Sequence, residues 1–161
     1  MKLIAAVDKE QNIGYKGNLL FSLPDDMKFF RTTTSGKTVV MGRKTLESFP
    51  GSKPLKNRLN LVLSRSKHSV DGAEFVESVE ELLERIKHLD TDEVYVIGGA
   101  QIYSLFLPYC DTALITRVDA VAEKADAKFP TLSSDEWEIT SRSEPYENNG
   151  IKFTFTTYTR R

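Results

Sequence analysis

The sequence has a single cysteine, Cys110, so no disulfide can form within the chain. That suits a reducing compartment, and a buried small hydrophobe is the ordinary reading of one such thiol. The two histidines, His68 and His88, lack partners at metal-ligand spacing, so both are expected on the solvated surface and no metal site is expected. Nine glycines contain no G-x-G-x-x-G, and no G-x-S-x-G occurs anywhere. Gly36-Lys37-Thr38 resembles the end of a P-loop, but Arg31 stands where that motif requires its first glycine. These absences remove Rossmann dehydrogenases, P-loop kinases, metalloenzymes and hydrolases with a nucleophile elbow. Met1–Val7 is too short an apolar run for a signal peptide, and no stretch approaches the roughly 20 residues of a spanning helix. A net charge of -1 with dispersed Lys and Arg leaves no footprint for nucleic acid or an anionic membrane. A cytoplasmic monomer with a small-molecule partner is the expectation.

What is present is enough apolar material for one core. With 161 residues, 40% of them hydrophobic, the chain reads as one domain over 1–161 that buries roughly 70% of its unfolded surface. Short β-rich runs alternate with helical ones, the pattern of an α/β fold. Strands are expected at Leu3–Asp8, Thr38–Met41, Leu59–Ser64, Glu93–Ile97 and Ala113–Asp119. Several are apolar on both faces, as parallel strands covered by helices on each side must be. Ser78-Val79-Glu80-Glu81 is a capping box, and Val79, Leu82, Leu83 and Ile86 keep helical spacing behind it, with Glu81 and Arg85 four apart on the solvated face. Other helices should run from Pro24 to about Thr34 and from Gly99 to Pro108. Ile151, Phe153 and Phe155 alternate with polar residues after the turn signal Asn148-Asn149-Gly150, which predicts an antiparallel hairpin of Trp137–Ser141 with Ile151–Thr159. The expected architecture is a mostly parallel central sheet with an antiparallel C-terminal strand and helices on both faces.

Three constellations carry chemistry. Val94–Ile97 runs through Gly98-Gly99 into a helix, so the backbone can lie close against a ligand there and amide groups can face an anion. Val39-Val40-Met41-Gly42-Arg43-Lys44-Thr45 repeats the device with two cations at a helix start, a placement that opposes the macrodipole unless an anion joins them. Leu63-Ser64-Arg65 closes a third strand. Ligands of parallel sheets bind beyond the carboxyl ends of the strands, so Arg43, Lys44 and Arg65 are expected to converge on a phosphate, which favours NADPH over NADH. In Leu23-Pro24-Asp25-Asp26-Met27-Lys28-Phe29-Phe30, Asp26 lies one turn before Phe30 on an apolar, aromatic face, where a carboxylate is costly to bury alone. Asp25 reads as a first-turn acid that helps the helix dipole.

Taken in order, Ile4-Ala5-Ala6-Val7-Asp8, Asn12-Ile13-Gly14, Leu23-Pro24-x-Asp26, Val39–Thr45, Ile97-Gly98-Gly99, Phe129-Pro130 and Arg160-Arg161 resemble dihydrofolate reductase along the full chain. The resemblance implies NADPH-dependent reduction of dihydrofolate to tetrahydrofolate in one-carbon metabolism, and a pocket open to antifolate inhibitors. Hydride would pass from nicotinamide C4 to pterin C6 while N5 takes a proton from water. Asp26 would be the catalytic carboxylate, holding the 2-amino group and adjacent ring nitrogen and promoting that protonation electrostatically rather than as a direct donor. Ile4, Ala6, Met27, Phe30, Phe49, Leu55, Ile97, Tyr103 and Thr116 would line the pterin and benzoyl pocket. Arg58 would pair with the glutamate carboxylate, aided by Arg31 and Lys53. Cofactor positions would be Ala6, Ile13, Gly14, Asn18, Leu19, Gly42, Arg43, Lys44, Thr45, Leu63, Ser64, Arg65, Gly98, Gly99, Ala100, Gln101, Ile102 and Tyr103. The loop from Glu10 to Leu20, pivoting on Gly14 and Gly17, would be a lid.

The chain departs from the family pattern in three places. Leu20-Phe21 replaces the frequent Pro-Trp, so no indole N–H stands near Asp26. Ala125-Asp126 replaces Gly-Asp in a loop that braces the lid. Pro50-Gly51-Ser52 carries one extra residue before Lys53. Altered rates or inhibitor affinities are expected from these, with activity kept. Two alternatives stay open on sequence: a same-fold NADPH reductase of riboflavin biosynthesis, and a non-catalytic nucleotide-binding module.

Overall fold

Strands with apolar side chains on both faces need cover on both, and the computed structural model, which describes residues 1–66 and 69–161, supplies it. His68 lies outside the described residues. The elements are β1 (Lys2–Val7), β2 (Asn12–Gly14), α1 (Pro24–Thr34), β3 (Thr38–Gly42), α2 (Arg43–Ser48), β4 (Leu59–Leu63), β5 (Ala73–Val76), α3 (Val79–Ile86), β6 (Val94–Gly98), α4 (Ala100–Phe106), β7 (Thr112–Val118), β8 (Ala127–Lys128), β9 (Trp137–Arg142), β10 (Tyr146–Asn148) and β11 (Ile151–Arg160). The main sheet runs β10-β11-β7-β1-β6-β3-β4-β5, with β9 also paired to β11. From β5 to β7 every pairing is parallel, and β11 lies antiparallel to β7. A mostly parallel sheet with an antiparallel C-terminal strand is therefore the fold.

The rim differs from expectation in one respect. β11 is an inner strand, because β9 and β10 both pair along its outer side. The hairpin turn at Asn149-Gly150, both residues at positive φ, joins β10 to β11 rather than β9 to β11 directly. Between β9 and β10 the Ser143 amide donates to the Phe155 carbonyl, while the Ser143 hydroxyl accepts from the Phe155 amide, both at 2.8 Å. Pro145, with no N–H, cannot continue the ladder, and the arm breaks there.

Alternation along the strands sends side chains to two faces. Leu3, Val7, Val40, Leu61, Val96 and Ile115 join Leu82 and Ile86 of α3 and Ile102 and Phe106 of α4 in one core cluster. Val39, Met41 and Val62 meet Leu46 of α2 on the other face. Ser78 caps α3 by accepting from the Glu81 amide at 3.0 Å, and Glu81 reaches back to the Glu77 amide at 2.8 Å. Arg85 turns away from Glu81 and forms a two-bond pair with Glu74 of β5, at 2.8 and 3.0 Å, because the carboxylate of Glu81 is taken up by the cap. Parallel alignment brings the carboxyl ends of β1, β3, β4 and β6 to one edge of the sheet, where Val7, Gly42, Leu63 and Gly98 end their strands.

Candidate active site

Helix α1 buries only Thr34 and leans its aromatic residues on the sheet, Phe29 stacking on Phe155 with ring centroids 4.3 Å apart. That places Asp26 against β7. The Thr116 hydroxyl donates to Asp26 Oδ1 at 2.6 Å, and Thr116 pairs in register with Ala6 of β1. Burial pushes the Asp26 carboxyl above the usual carboxylate range, and the Thr116 hydrogen bond offsets part of the rise. A small pocket opens over this carboxylate, lined by Ala6, Ile13, Leu19, Leu20, Phe21, Leu23, Asp26 and Met27. Leu19 and Met27 are exposed at 72% and 53%, so an apolar ligand has large side chains to cover. A cavity of about 360 Å³ lies at the opposite edge, between the starts of β3 and β4. Its lining mixes Leu59 and Leu89 with Arg58, Asp90 and the Lys37–Glu93 ion pair at 2.7 Å.

The segment expected to act as a lid is a structured hairpin. Tyr15 and Asn18 exchange backbone bonds of 3.1 and 3.0 Å around Lys16 (φ 49) and Gly17 (φ 79), the geometry of a type I′ turn. Gly17 therefore supplies the turn conformation. Gly14 has a different reason to be glycine, because a Cβ there would meet the Asn18 carbonyl at 3.3 Å and the Ala127 side chain at 3.8 Å. β2 pairs with β8, the Asp126 amide donates to the Gly14 carbonyl, and the Lys16 amide donates to Asp126 Oδ2, both at 3.0 Å. The brace forms with alanine at 125.

Of the positions assigned from sequence to the pterin side, Ile4, Ala6 and Thr116 lie on β1 and β7, while Asp26, Met27, Phe30 and Arg31 lie on α1. Phe49, Leu55 and Ile97 meet around Val39, Met41, Leu46 and Val62. Lys53 is exposed after a turn at Gly51 and Ser52, both at positive φ, which takes up the additional residue there. Arg58 is half-buried and close to Arg31; burial first, then that neighbouring charge, lowers its pKa. On the cofactor side Ile13, Gly14, Asn18 and Leu19 belong to the lid hairpin. Gly42, Arg43, Lys44 and Thr45 form the β3–α2 junction, with Arg43 and Lys44 exposed. Leu63, Ser64 and Arg65 close β4; the Ser64 hydroxyl accepts from the Ser66 amide at 3.3 Å, and Arg65 is exposed. A side chain at Gly98, at φ 116, would be strained, and its Cβ, 3.2 Å from the Tyr103 ring, would force that buried ring to shift. Gly99, Ala100 and Gln101 open α4, while Ile102 and Tyr103 point into the core. A Cβ on Gly42 would touch Ile102 at 3.0 Å, so the β3 and β6 junctions press together. The Tyr103 hydroxyl donates to the Ile4 carbonyl at 2.7 Å; burial, and then the charge of Asp26, hold it protonated.

A family model for dihydrofolate reductase matches residues 1–160. The chain belongs to the dihydrofolate reductase family. Dihydrofolate reductase of Neisseria gonorrhoeae is 38% identical over 158 residues, 97% of this chain and 95% of that protein. The Haemophilus influenzae dihydrofolate reductase is 36% identical over 137 residues, 85% of this chain and 82% of its own length. A solved structure of dihydrofolate reductase from Enterococcus faecalis complexed with NADP(H) and RAB-propyl superposes with a TM-score of 0.89 at 31% identity, covering 99% of this chain and 95% of that one.

Several residues that shape the reductase site were not assigned from sequence. Asp8, 1% exposed, accepts from the amides of Glu10, Asn12 and Ala122 and from the Asn12 side chain, all within 3.0 Å. Burial alone would raise its pKa, and these bonds outweigh that and lower it. It pins the root of the lid, and its place at the end of an apolar strand was the available signal. Thr34, Asn60 and Asn148 gave no such signal, because their partners lie on other elements.

Proposed function

We infer that this chain reduces dihydrofolate to tetrahydrofolate with NADPH. One observation carries the reading: a carboxylate raised in pKa by burial and hydrogen-bonded by Thr116, in an apolar pocket at the carboxyl edge of a parallel sheet. Asp26 is suited to accept from the amino and ring N–H groups of a pterin, and its negative charge favours protonation at the neighbouring N5. Leu19, Leu20 and Phe21 line that pocket and would help to exclude water once a ligand packs against them. The cofactor's chemistry fits the residues present. Exposed Arg43, Lys44 and Arg65 stand at the ends of β3 and β4, and the crowded glycines Gly42 and Gly98 leave bare backbone beside them. Bound there, NADPH supplies the hydride. Ala6, Ile13, Gly14, Asn18, Leu19, Gly42, Thr45, Leu63, Ser64 and Gly98–Tyr103 complete the cofactor side of this reading. Ile4, Met27, Phe30, Phe49, Leu55, Ile97 and Thr116 would surround the pterin and benzoyl groups, and Arg58, with Arg31 and Lys53, the anionic tail. Antifolates would compete for the same pocket. A cytoplasmic location belongs to this reading, with a single free cysteine, as a reducing compartment favours, and a monomer is its default.

The test follows the near-ultraviolet absorbance of NADPH with and without dihydrofolate. Substrate-dependent decay is expected. With Arg43→Ala or Arg65→Ala the loss should be larger with NADPH than with NADH, by about tenfold for a charge-assisted phosphate contact. Absence of decay at saturating dihydrofolate rejects the activity, and equal losses with both cofactors reject the phosphate assignment.

A further inference from the structure

An asparagine inside a buried strand must find partners for both ends of its amide. Asn60, the second residue of β4, is 1% exposed. Its Oδ1 accepts from the Leu55 amide at 2.9 Å, and its Nδ2 donates to the carbonyls of Leu55 at 2.9 Å and Arg58 at 3.0 Å. These bonds close residues 55–60 into a loop whose bend is at Asn57, φ 59. Leu55, at one end of the loop, packs against the same core cluster of Val39, Met41, Leu46 and Val62 as Phe49 and Ile97 do. At the other end the Arg58 Nε donates back to the Lys56 carbonyl at 2.9 Å, inside the loop that Asn60 closes.

The Arg58 guanidinium is gripped from a second side by α1. Its Nη1 donates to Thr34 Oγ1 at 3.1 Å. Thr34 is fully buried, and its hydroxyl gives its own proton to the Phe30 carbonyl at 2.8 Å, so toward Arg58 it can only accept. Of five guanidinium N–H groups two are spent, and the three that remain sit on Nη1 and Nη2. That pair is the end-on fork that matches both oxygens of a carboxylate. Among the described residues neither Arg58 nor the nearby Arg31 has a carboxylate partner.

We propose that Asn60 and Thr34 are positioning residues that hold the Arg58 fork ready for the carboxylate of the substrate's tail; this rests on the reading of Arg58 as the tail's anchor. Asn60 acts through the loop and Thr34 through the guanidinium itself, and neither touches the pterin end. Preorganising the fork removes the ordering cost of a long side chain from the binding step.

The experiment compares Asn60→Ala, the near-isosteric Thr34→Val and Arg58→Ala on two substrates: dihydrofolate, and 6-methyl-7,8-dihydropterin, which has no tail. NADPH affinity is measured alongside. For Asn60→Ala the KM for dihydrofolate should rise about tenfold and for Thr34→Val about threefold, with kcat changed less than about twofold. The kcat/KM for the tail-less pterin and the Kd for NADPH should stay as in the parent enzyme. Equal losses on both substrates, or loss of NADPH affinity, would make these residues props of the fold and overturn the proposal. If Arg58→Ala separates the two substrates while Asn60→Ala and Thr34→Val do not, positioning fails and the anchor stands. If Arg58→Ala itself fails to separate them, the anchor reading fails first.

Discussion

Asp26 is held where its charge is costly, and that cost has a sign in pH. Because burial raises its folded-state pKa above the unfolded value, the folded protein binds this proton more tightly. Stability from that tighter binding is present at acid pH and is lost as pH rises through the raised value. An amide escapes the loss, and its oxygen can still accept from Thr116. Asp26→Asn should therefore melt at a higher temperature than the parent at neutral pH, with the gap closing in acid. The same variant should lose turnover by about two to three orders of magnitude at neutral pH, with its rate climbing as acid in solution replaces the missing charge. Thermal melts and pH–rate profiles on one preparation read both; parental turnover at neutral pH would show the wrong acid was chosen. Cys110 is the contrary case: burial pushes its thiol up to about 12, which leaves it an inert apolar filler.

At the scale of elements, what could be read from the sequence depended on how local the cause was. The capping box of α3 is complete within five residues, and Ser78 accepts from the Glu81 amide as its pattern required. Removing that cap with Ser78→Ala should cost about 1 kcal/mol and lower Tm by about 2–4 °C in a chain of this size, with kcat unchanged, as calorimetry and the NADPH assay would show. Strands β3, β4 and β6 were visible because both faces are apolar. Strand β5, Ala-Glu-Phe-Val at the sheet edge, was not, since its one charged, solvated residue breaks the run. Asp25 looked like a simple helix-start acid, yet its amide and carboxylate exchange bonds with Asn148 at 2.9 Å, across 123 positions. Asp26 itself was legible from its aromatic face. The Asn60 loop and the Thr34 grip on Arg58 were not, because hydrogen bonds between a strand, a loop and a helix leave no periodic trace in sequence.

Across the whole molecule, the first strand occupies the middle of the sheet. Lys2 pairs with Tyr95 on one side and Thr112 on the other, while β3, β4 and β5 find one another nearby in the chain. Closing the long loops on either side of β1 carries the larger entropic cost, so the short-range β3–β4–β5 unit should form early and β1 should insert late. Ala6 and Asp8, which line the pocket and root the lid, ride on that late strand and its end. On dilution from denaturant, the β signal in circular dichroism should recover ahead of NADPH oxidation; simultaneous recovery would mean the sheet closes in one step. A newly assembled chain would thus hold most of its secondary structure for a time before it can turn over a single substrate.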